Sequence, residues 1–245
     1  MLIVFIFLLP FWKFRIPEKK YWLPLFCFSL FMGFFANLFM TLSLKKASII
    51  SPIIIGSQLA IPFAILLSSL FLNEKASLKQ WLFIFISFFG IILIGFDPLL
   101  VNELFAIVLI ICMAFFYGGA QVFSRYLKEL DVTMTNSIMG LVGFILLLIT
   151  SIIFEGNLYK NIGLINLDSW ILILYSGLLV SICAHMTMFH LYKIYPIKKV
   201  FPFYALFPIF GIIQTYIIFF EIPTMLTIIG GMIVIISVIY INKEE

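Results

Sequence analysis

Six polar side chains that lie inside long apolar runs could hydrogen-bond a small solute: Asn37, Gln58, Tyr117, Gln121, His185 and Gln214. Amide, phenol and imidazole groups both donate and accept hydrogen bonds without carrying a charge. An imidazole could also carry a proton, because its unperturbed pKa lies near neutrality. The competing interpretation is that these groups only join neighbouring helices, through hydrogen bonds worth about 1 kcal/mol each. For His185 we favour that competing interpretation.

Tyr117 and Gln121 are one helical turn apart and therefore share one face of a helix. A polar stripe of this kind is typical of a water-filled cavity. Gly118 and Gly119 stand beside them, however, and small residues are equally typical of close helix packing. The sequence leaves both interpretations open.

Glu74 and Glu221 each end an apolar run where the chain turns. An acidic residue at such a place usually caps a helix or lies in water, because a carboxylate is stabilised by the positive end of the helix dipole. We therefore expect a structural role for both glutamates.

The sequence lacks the motifs of common enzyme classes, such as HExxH, GxSxG or a Walker sequence. No carboxylate lies at the centre of an apolar run, where it could act as an acid or a base. Cys27, Cys112 and Cys183 form no CxxC pair. We expect no catalysis, no cofactor and no bound metal.

The composition is typical of a protein that is embedded in a lipid bilayer. Of the 245 residues, 64% are hydrophobic and 11% are charged, and the mean hydropathy is +1.23; soluble domains carry about 25% charged residues. The apolar runs are continuous and about 17 to 24 residues long, which is enough for a helix to cross the bilayer. We predict an all-α polytopic membrane protein with a partial helix at residues 1–12 and eight full helices, at residues 21–42, 49–72, 80–96, 104–123, 133–154, 169–192, 200–220 and 224–241.

Lysine and arginine are shared unevenly between the loops on the two sides of the membrane. Twelve fall on one side, and Lys45, Lys46 and Lys160 fall on the other. Cytoplasmic loops carry the excess of positive charge, so we predict a cytoplasmic C-terminus. The basic residues are spread over separate segments, which argues against a nucleic-acid surface.

A shift of 147 to 148 residues aligns the two halves of the sequence. It pairs Asn37 with His185 and Glu74 with Glu221. Chance similarity between apolar helices is the alternative explanation. A second unit of five helices would insert opposite to the first, as in transporters built from inverted repeats. We predict repeats at residues 1–97 and 98–245, with about 47 residues of the first repeat missing before Met1.

Two stretches resemble the drug/metabolite transporter superfamily, specifically the EamA-type ten-helix permeases. They are residues 42–95 (LSLKKASIISP, IPFAILLSSLFLNEKASLKQW, FFGIILIG) and residues 204–237 (YALFPIFG, FFEIPTMLTIIGGMIVIIS). Their shared pattern is a proline, a glutamate that closes a helix and a glycine-bearing helix. The Phe-Leu-Asn-Glu and Gln-Trp stretch is similar to S-adenosylmethionine carriers of intracellular bacteria. The chain departs from the family where Phe83 replaces an expected glycine and where the first helix is lacking.

The resemblance implies a central mid-membrane cavity near Asn37 and His185. It implies a secondary transporter that moves a small-molecule metabolite across the inner membrane by alternating access, within the lipid bilayer and with no nucleic-acid partner. A homodimer is left open, as are the substrate, the direction of transport and the choice between proton coupling and exchange. The alternative is a non-transporting membrane protein, either a truncated remnant or a packing partner of another permease.

Overall fold

The computed structural model describes residues 1–12, 17–72, 77–156, 163, 166–184, 187 and 207–243. Within these ranges the regular elements are helices, and no strand is present. The α-helices are α1 (Leu2–Leu8), α2 (Trp22–Phe28), α3 (Asn37–Lys46), α4 (Ser51–Ser57), α5 (Ala60–Phe71), α6 (Leu78–Gly95), α7 (Leu104–Tyr126), α8 (Val132–Glu155), α9 (Leu167–Tyr175), α10 (Phe207–Phe219) and α11 (Met225–Lys243). Short 3-10 helices cover Leu9–Phe11, Lys19–Tyr21 and Pro98–Glu103, and π-helices cover Ser29–Ala36 and Ser176–Ala184.

Five helical stretches in the described part of the chain are long and apolar enough to cross a membrane: Lys19–Lys46, Ser51–Phe71, Leu78–Gly95, Leu104–Tyr126 and Val132–Glu155. Four shorter apolar helices accompany them: Leu2–Phe11, Leu167–Val180, Phe207–Phe219 and Met225–Ile241. The predicted all-helical membrane fold is therefore confirmed. The count of eight full helices stays a prediction, because parts of the runs at 169–192 and 200–220 lie outside the described residues.

Side-chain caps explain where several helices begin. Ser77 and Gln80 form a capping box at the start of α6, in which the Ser77 hydroxyl accepts the Gln80 backbone N–H and the Gln80 side chain accepts the Ser77 N–H. Asp131 accepts the Thr133 N–H at the start of α8, and Asn166 accepts the Ser169 N–H at the start of α9. Each cap satisfies N–H groups that have no partner within the helix.

The two π-helices occur at equivalent positions in the two halves of the sequence. Ser29–Ala36 and Ser176–Ala184 begin 147 residues apart and end 148 residues apart, which is the shift that aligns the halves. They end directly before Asn37 and His185. π-Helices are rare and are frequent at functional sites.

The chain forms two compact units, and each sequence half contributes to both. Unit 1 consists of Met1–Phe35 and Phe123–Tyr195. Within it, a Cβ atom on Gly143 of α8 would lie 2.5 Å from the carbonyl oxygen of Gly33, so the two helices meet backbone to backbone. The Tyr21 hydroxyl also donates a hydrogen bond to the Glu129 carboxylate, which lowers the pKa of that carboxyl group.

Unit 2 consists of Ala36–Val122 and Pro196–Glu245. Its core is formed by residues from α4, α5, α6, α7 and α11, among them the fully buried Ile55, Leu59 and Val234. Phe83 of α6 stacks on Tyr240 of α11 with ring centroids 4.8 Å apart. The aromatic ring at residue 83, where the resemblance led us to expect a glycine, is thus a packing contact.

Candidate functional site

The span Ser51–Phe71 is interrupted at Gln58 and Leu59, where α4 ends and α5 has not begun. The cause is Pro62, which has no backbone N–H to donate to the Gln58 carbonyl one turn earlier. The Ile61 N–H donates to that carbonyl instead, at 3.1 Å, and the Gln58 N–H donates to the Ile55 carbonyl at 3.0 Å. The predicted span at residues 49–72 corresponds to the span Ser51–Phe71, and the structure adds a two-residue turn at Gln58 and Leu59 that divides it into α4 and α5.

Gln58 stands at this break with 2% of its surface exposed. Its Oε1 atom has no hydrogen-bond partner within the described part of the protein. A buried acceptor left unpaired costs about 1 to 3 kcal/mol, so natural proteins keep few of them. An unpaired amide oxygen in the interior of a broken membrane helix is a group that can accept a hydrogen bond from a bound molecule.

Three other helices close tightly around α4. A Cβ atom on Gly231 of α11 would lie 2.7 Å from Ile55 Cδ1, and one on Gly211 of α10 would lie 2.9 Å from Ile54 Cγ2. From the opposite direction, the Ile110 side chain of α7 fills the space where a Cβ atom on Gly56 would stand. The break and its glutamine therefore lie in the interior of unit 2.

Tyr117 and Gln121 are both half-buried on α7, as their shared face predicts. Tyr117 packs against the core cluster of unit 2 that includes Leu59 and Ala60. Gly118 packs equally closely, because a Cβ atom there would lie 2.8 Å from the Ala60 carbonyl oxygen. Close packing of α7 against α5 is therefore confirmed at this glycine.

The remaining predicted residues lie in different surroundings. Asn37 is half-buried at the start of α3, and its backbone carbonyl accepts the Thr41 hydroxyl at 2.8 Å. Gln214 lies on α10 with an exposed side chain, apart from the buried glutamine. His185 lies outside the described residues. Of the predicted residues that the structure describes, only Gln58 is buried, whereas Asn37, Tyr117 and Gln121 are half-buried and Gln214 is exposed.

Sequence reasoning missed a contact that joins two distant parts of the chain. The Glu221 carboxylate accepts the backbone N–H groups of Ile50 and Ser51, each at 2.7 Å, and also the Ser51 hydroxyl. The structural role expected of Glu221 is confirmed, but the helix that it caps is α4 and not the next helix in the chain. Glu74 lies outside the described residues. The only signal in the sequence was that Glu74 and Glu221 occupy equivalent positions in the two halves, and this does not predict which residues they contact.

A second carboxylate, that of Glu103, accepts a hydrogen bond from the turn between α3 and α4. Glu103 is 5% exposed and accepts the Ser48 N–H at 2.9 Å, while the Ser43 hydroxyl donates to the Ala106 carbonyl at 2.8 Å. Within the described ranges, no three His, Cys, Asp or Glu side chains come together as metal ligands.

The sequence profile of the EamA-like transporter family matches residues 1–96 and 104–243. The chain belongs to this family. The matches cover almost the entire chain and confirm the resemblance to the drug/metabolite transporter superfamily. No curated protein is significantly similar to the chain. The EamA family consists of membrane transporters, so the protein is a multi-pass membrane protein of a transporter family.

Proposed function

We propose that this EamA-family protein is a secondary transporter that moves a small metabolite across the inner membrane by alternating access. The observation that carries the proposal is the buried, unpaired Oε1 atom of Gln58 at a break in a membrane helix. Transporters typically bind their substrates where helices are discontinuous, because broken helices expose polar groups in the middle of the membrane. Gln58 is then the residue that accepts a hydrogen bond from the solute.

The helices around the break favour recognition through hydrogen bonds. Residues 51–71 carry no charged side chain, so the polar groups there are hydroxyls and the Gln58 amide. A hydrogen bond formed in an interior that excludes water is stronger than one formed in water. A solute with an N–H or O–H donor fits the Gln58 oxygen, and we propose the half-buried Tyr117, which packs against the core of the same unit, as a second polar contact.

The duplicated architecture supports alternating access. The family profile matches the chain in two stretches, and a π-helix recurs 147 residues further on. Each π-helix ends directly before a polar residue, Asn37 in the first half and His185 in the second. We propose that residues 1–97 and 98–245 are inverted repeats and that these two polar residues contribute to the substrate path.

Proteoliposomes test the proposed activity without assuming a substrate. The purified full chain is reconstituted, the vesicles are incubated in a uniformly ¹³C-labelled extract of small metabolites, and their contents are identified by mass spectrometry. We expect at least one labelled compound to accumulate above the level in protein-free vesicles, and Gln58→Leu to abolish the excess. If the folded, reconstituted chain enriches no compound, the transporter proposal fails and a non-transporting membrane protein is favoured.

The orientation is a separate proposal. Twelve lysines and arginines on one side against three on the other favour a cytoplasmic C-terminus. Fusion of green fluorescent protein to Glu245 should give fluorescent cells, because this protein folds in the cytoplasm, whereas an alkaline phosphatase fusion at the same residue should be inactive. The reverse pair of results would contradict the orientation.

A further inference from the structure

We infer that Glu221 is a positioning residue for Gln58: its carboxylate fixes the start of the short helix that ends at the proposed solute contact. The inference rests on the proposed function in treating Gln58 as that contact. Glu221 belongs to the second half of the sequence and α4 to the first, so the contact ties one proposed repeat to the binding residue of the other.

The geometry of the contact restricts α4 strongly. Oε2 of Glu221 accepts the Ile50 N–H, and Oε1 accepts both the N–H and the hydroxyl of Ser51. N–H groups in the first turn of a helix have no partner within the helix, and a carboxylate is the strongest neutral-pH acceptor for them. Because both oxygens are engaged, the carboxylate fixes the direction of the helix start as well as its place.

α4 transmits this position to Gln58. Seven residues separate Ser51 from Gln58, a length of about 10 Å in an α-helix. At Gln58 the hydrogen bonding changes to the tighter spacing of three residues, because Pro62 cannot donate to the Gln58 carbonyl and the Ile61 N–H donates to it instead. α4 is therefore anchored at its start by Glu221 and joined at its end to α5 through a two-residue turn, and we expect a displacement at Ser51 to reach Gln58 along this short helix.

The backbone directly before Glu221 has an uncommon conformation. Phe220 has a φ of 54°, which is a left-handed conformation. At the end of a helix, glycine is the residue that usually adopts it. The Phe220 N–H donates to the Tyr216 carbonyl at 3.1 Å and closes α10 in this way. The Glu221 N–H then donates to the Thr215 carbonyl at 3.4 Å, so the turn that ends α10 includes the residue whose carboxylate contacts α4.

A cysteine reporter measures the position of Gln58 without any substrate. The full chain, with Cys27, Cys112 and Cys183 replaced by alanine, carries Gln58→Cys and is reconstituted in liposomes. The probe is 2-(trimethylammonium)ethyl methanethiosulfonate, whose rate of reaction with the thiol is followed by mass spectrometry. A second chain carries Ser87→Cys instead, since Ser87 is fully buried in α6 of the same unit and lies outside α4.

We expect Glu221→Gln to raise the labelling rate of Gln58→Cys by roughly fivefold to tenfold, because the amide loses one acceptor and the start of α4 opens locally. Ser51→Ala, a milder change that keeps both backbone contacts, should raise it by roughly twofold, and Glu221→Asp should restore most of the slow rate. Glu103→Gln is the matched control, since Glu103 contacts the same turn at Ser48 but not α4. The Ser87→Cys rate should stay unchanged in all four variants.

Two results would overturn the inference. One is a Gln58→Cys rate that neither Glu221→Gln nor Ser51→Ala changes. The other is an equal rise for Ser87→Cys, which would mean that the whole unit loosens and α4 is not specifically released. Labelling needs no solute, so its outcome is independent of metabolite accumulation. If the unsubstituted chain accumulates no metabolite, the proposed function is contradicted. If the labelling rate is unchanged, only the role of Glu221 is contradicted.

Discussion

Gly90 of α6 and Gly230 of α11 face each other so closely that each meets the backbone of the other. A Cβ atom on Gly90 would lie 2.8 Å from the Gly230 carbonyl oxygen, and one on Gly230 would lie 2.6 Å from the Gly90 carbonyl oxygen. Helices in lipid associate largely through such close van der Waals packing, which small residues permit. The pair therefore holds together the two helices that carry much of the core of unit 2.

Gly90→Ala should destabilise the protein. The added methyl group collides with backbone and with Val234 Cγ2 at 2.9 Å, so α6 and α11 must separate. Overpacking of this kind costs about 1 to 3 kcal/mol. Thermal unfolding in detergent, followed by circular dichroism, should show a lower midpoint than that of the unsubstituted protein.

Gly95→Ala is the matched control on the same helix. Its Cβ atom would find only Leu104 Cδ2, at an ordinary contact distance of 3.7 Å. Alanine is the better helix former, so the midpoint should stay the same or rise slightly. Equal loss of stability in both variants would show that the contact between Gly90 and Gly230 is not special.

Phe220→Gly should stabilise the protein by about 1 kcal/mol, because glycine adopts the left-handed conformation without the steric cost that phenylalanine incurs there. Little packing is lost, since Phe220 is 81% exposed. Phe219→Gly, one residue earlier and inside α10, should instead destabilise by about 1 kcal/mol. The two unfolding midpoints should move in opposite directions, and a parallel fall would contradict the strain assigned to Phe220.

Gln58→Leu should leave stability unchanged or raise it by about 1 kcal/mol, because it removes a buried acceptor that has no partner. Gln80 offers a contrast: it is also buried, but its side chain accepts the Ser77 N–H. Gln80→Leu should therefore destabilise by about 1 to 2 kcal/mol. A large loss of stability in Gln58→Leu would show that this glutamine is a structural residue.

Pro62→Ala should close the break in the span by supplying an N–H that can donate to the Gln58 carbonyl. Hydrogen exchange in a peptide covering residues 58–66 should become slower, because the repaired helix protects its amides. Pro52→Ala should change exchange little, since Pro52 lies in the first turn of α4, where an N–H has no partner within the helix. Equal exchange in the Pro62→Ala and unsubstituted chains would show that Pro62 does not cause the break.

The sequence predicted the membrane helices well, because continuous apolar runs and the placement of charges report directly on the bilayer. The all-helical fold and the family followed from those runs and from the proline, glutamate and glycine pattern. The break at Gln58 could have been inferred from Pro62 one turn later, but prolines are tolerated in membrane helices and need not interrupt them. The π-helices have no clear signature in the sequence, since only backbone hydrogen bonding defines them.

The candidate site was harder to predict, because helix packing decides which polar groups are left unpaired. Six polar residues were candidates from the sequence, which drew attention to Asn37 and His185, and only the structure separates the buried Gln58 from the exposed Gln214. The contact between Glu221 and Ser51 joins residues 170 positions apart, and no spacing rule connects them. Pairwise polar contacts at this distance depend on the tertiary arrangement of the helices.

The most direct test of whether the broken helix of unit 2 is a solute path is metabolite enrichment inside vesicles. Three chains are compared: the unsubstituted chain, Gln58→Leu and Gln80→Leu. Each chain is reconstituted in equal amounts and its folding is checked beforehand. The account predicts that the unsubstituted chain enriches a labelled compound, that the less stable Gln80→Leu chain retains this enrichment per folded molecule, and that the stable Gln58→Leu chain loses it. Undiminished enrichment by Gln58→Leu would contradict the assignment of Gln58 as the solute contact.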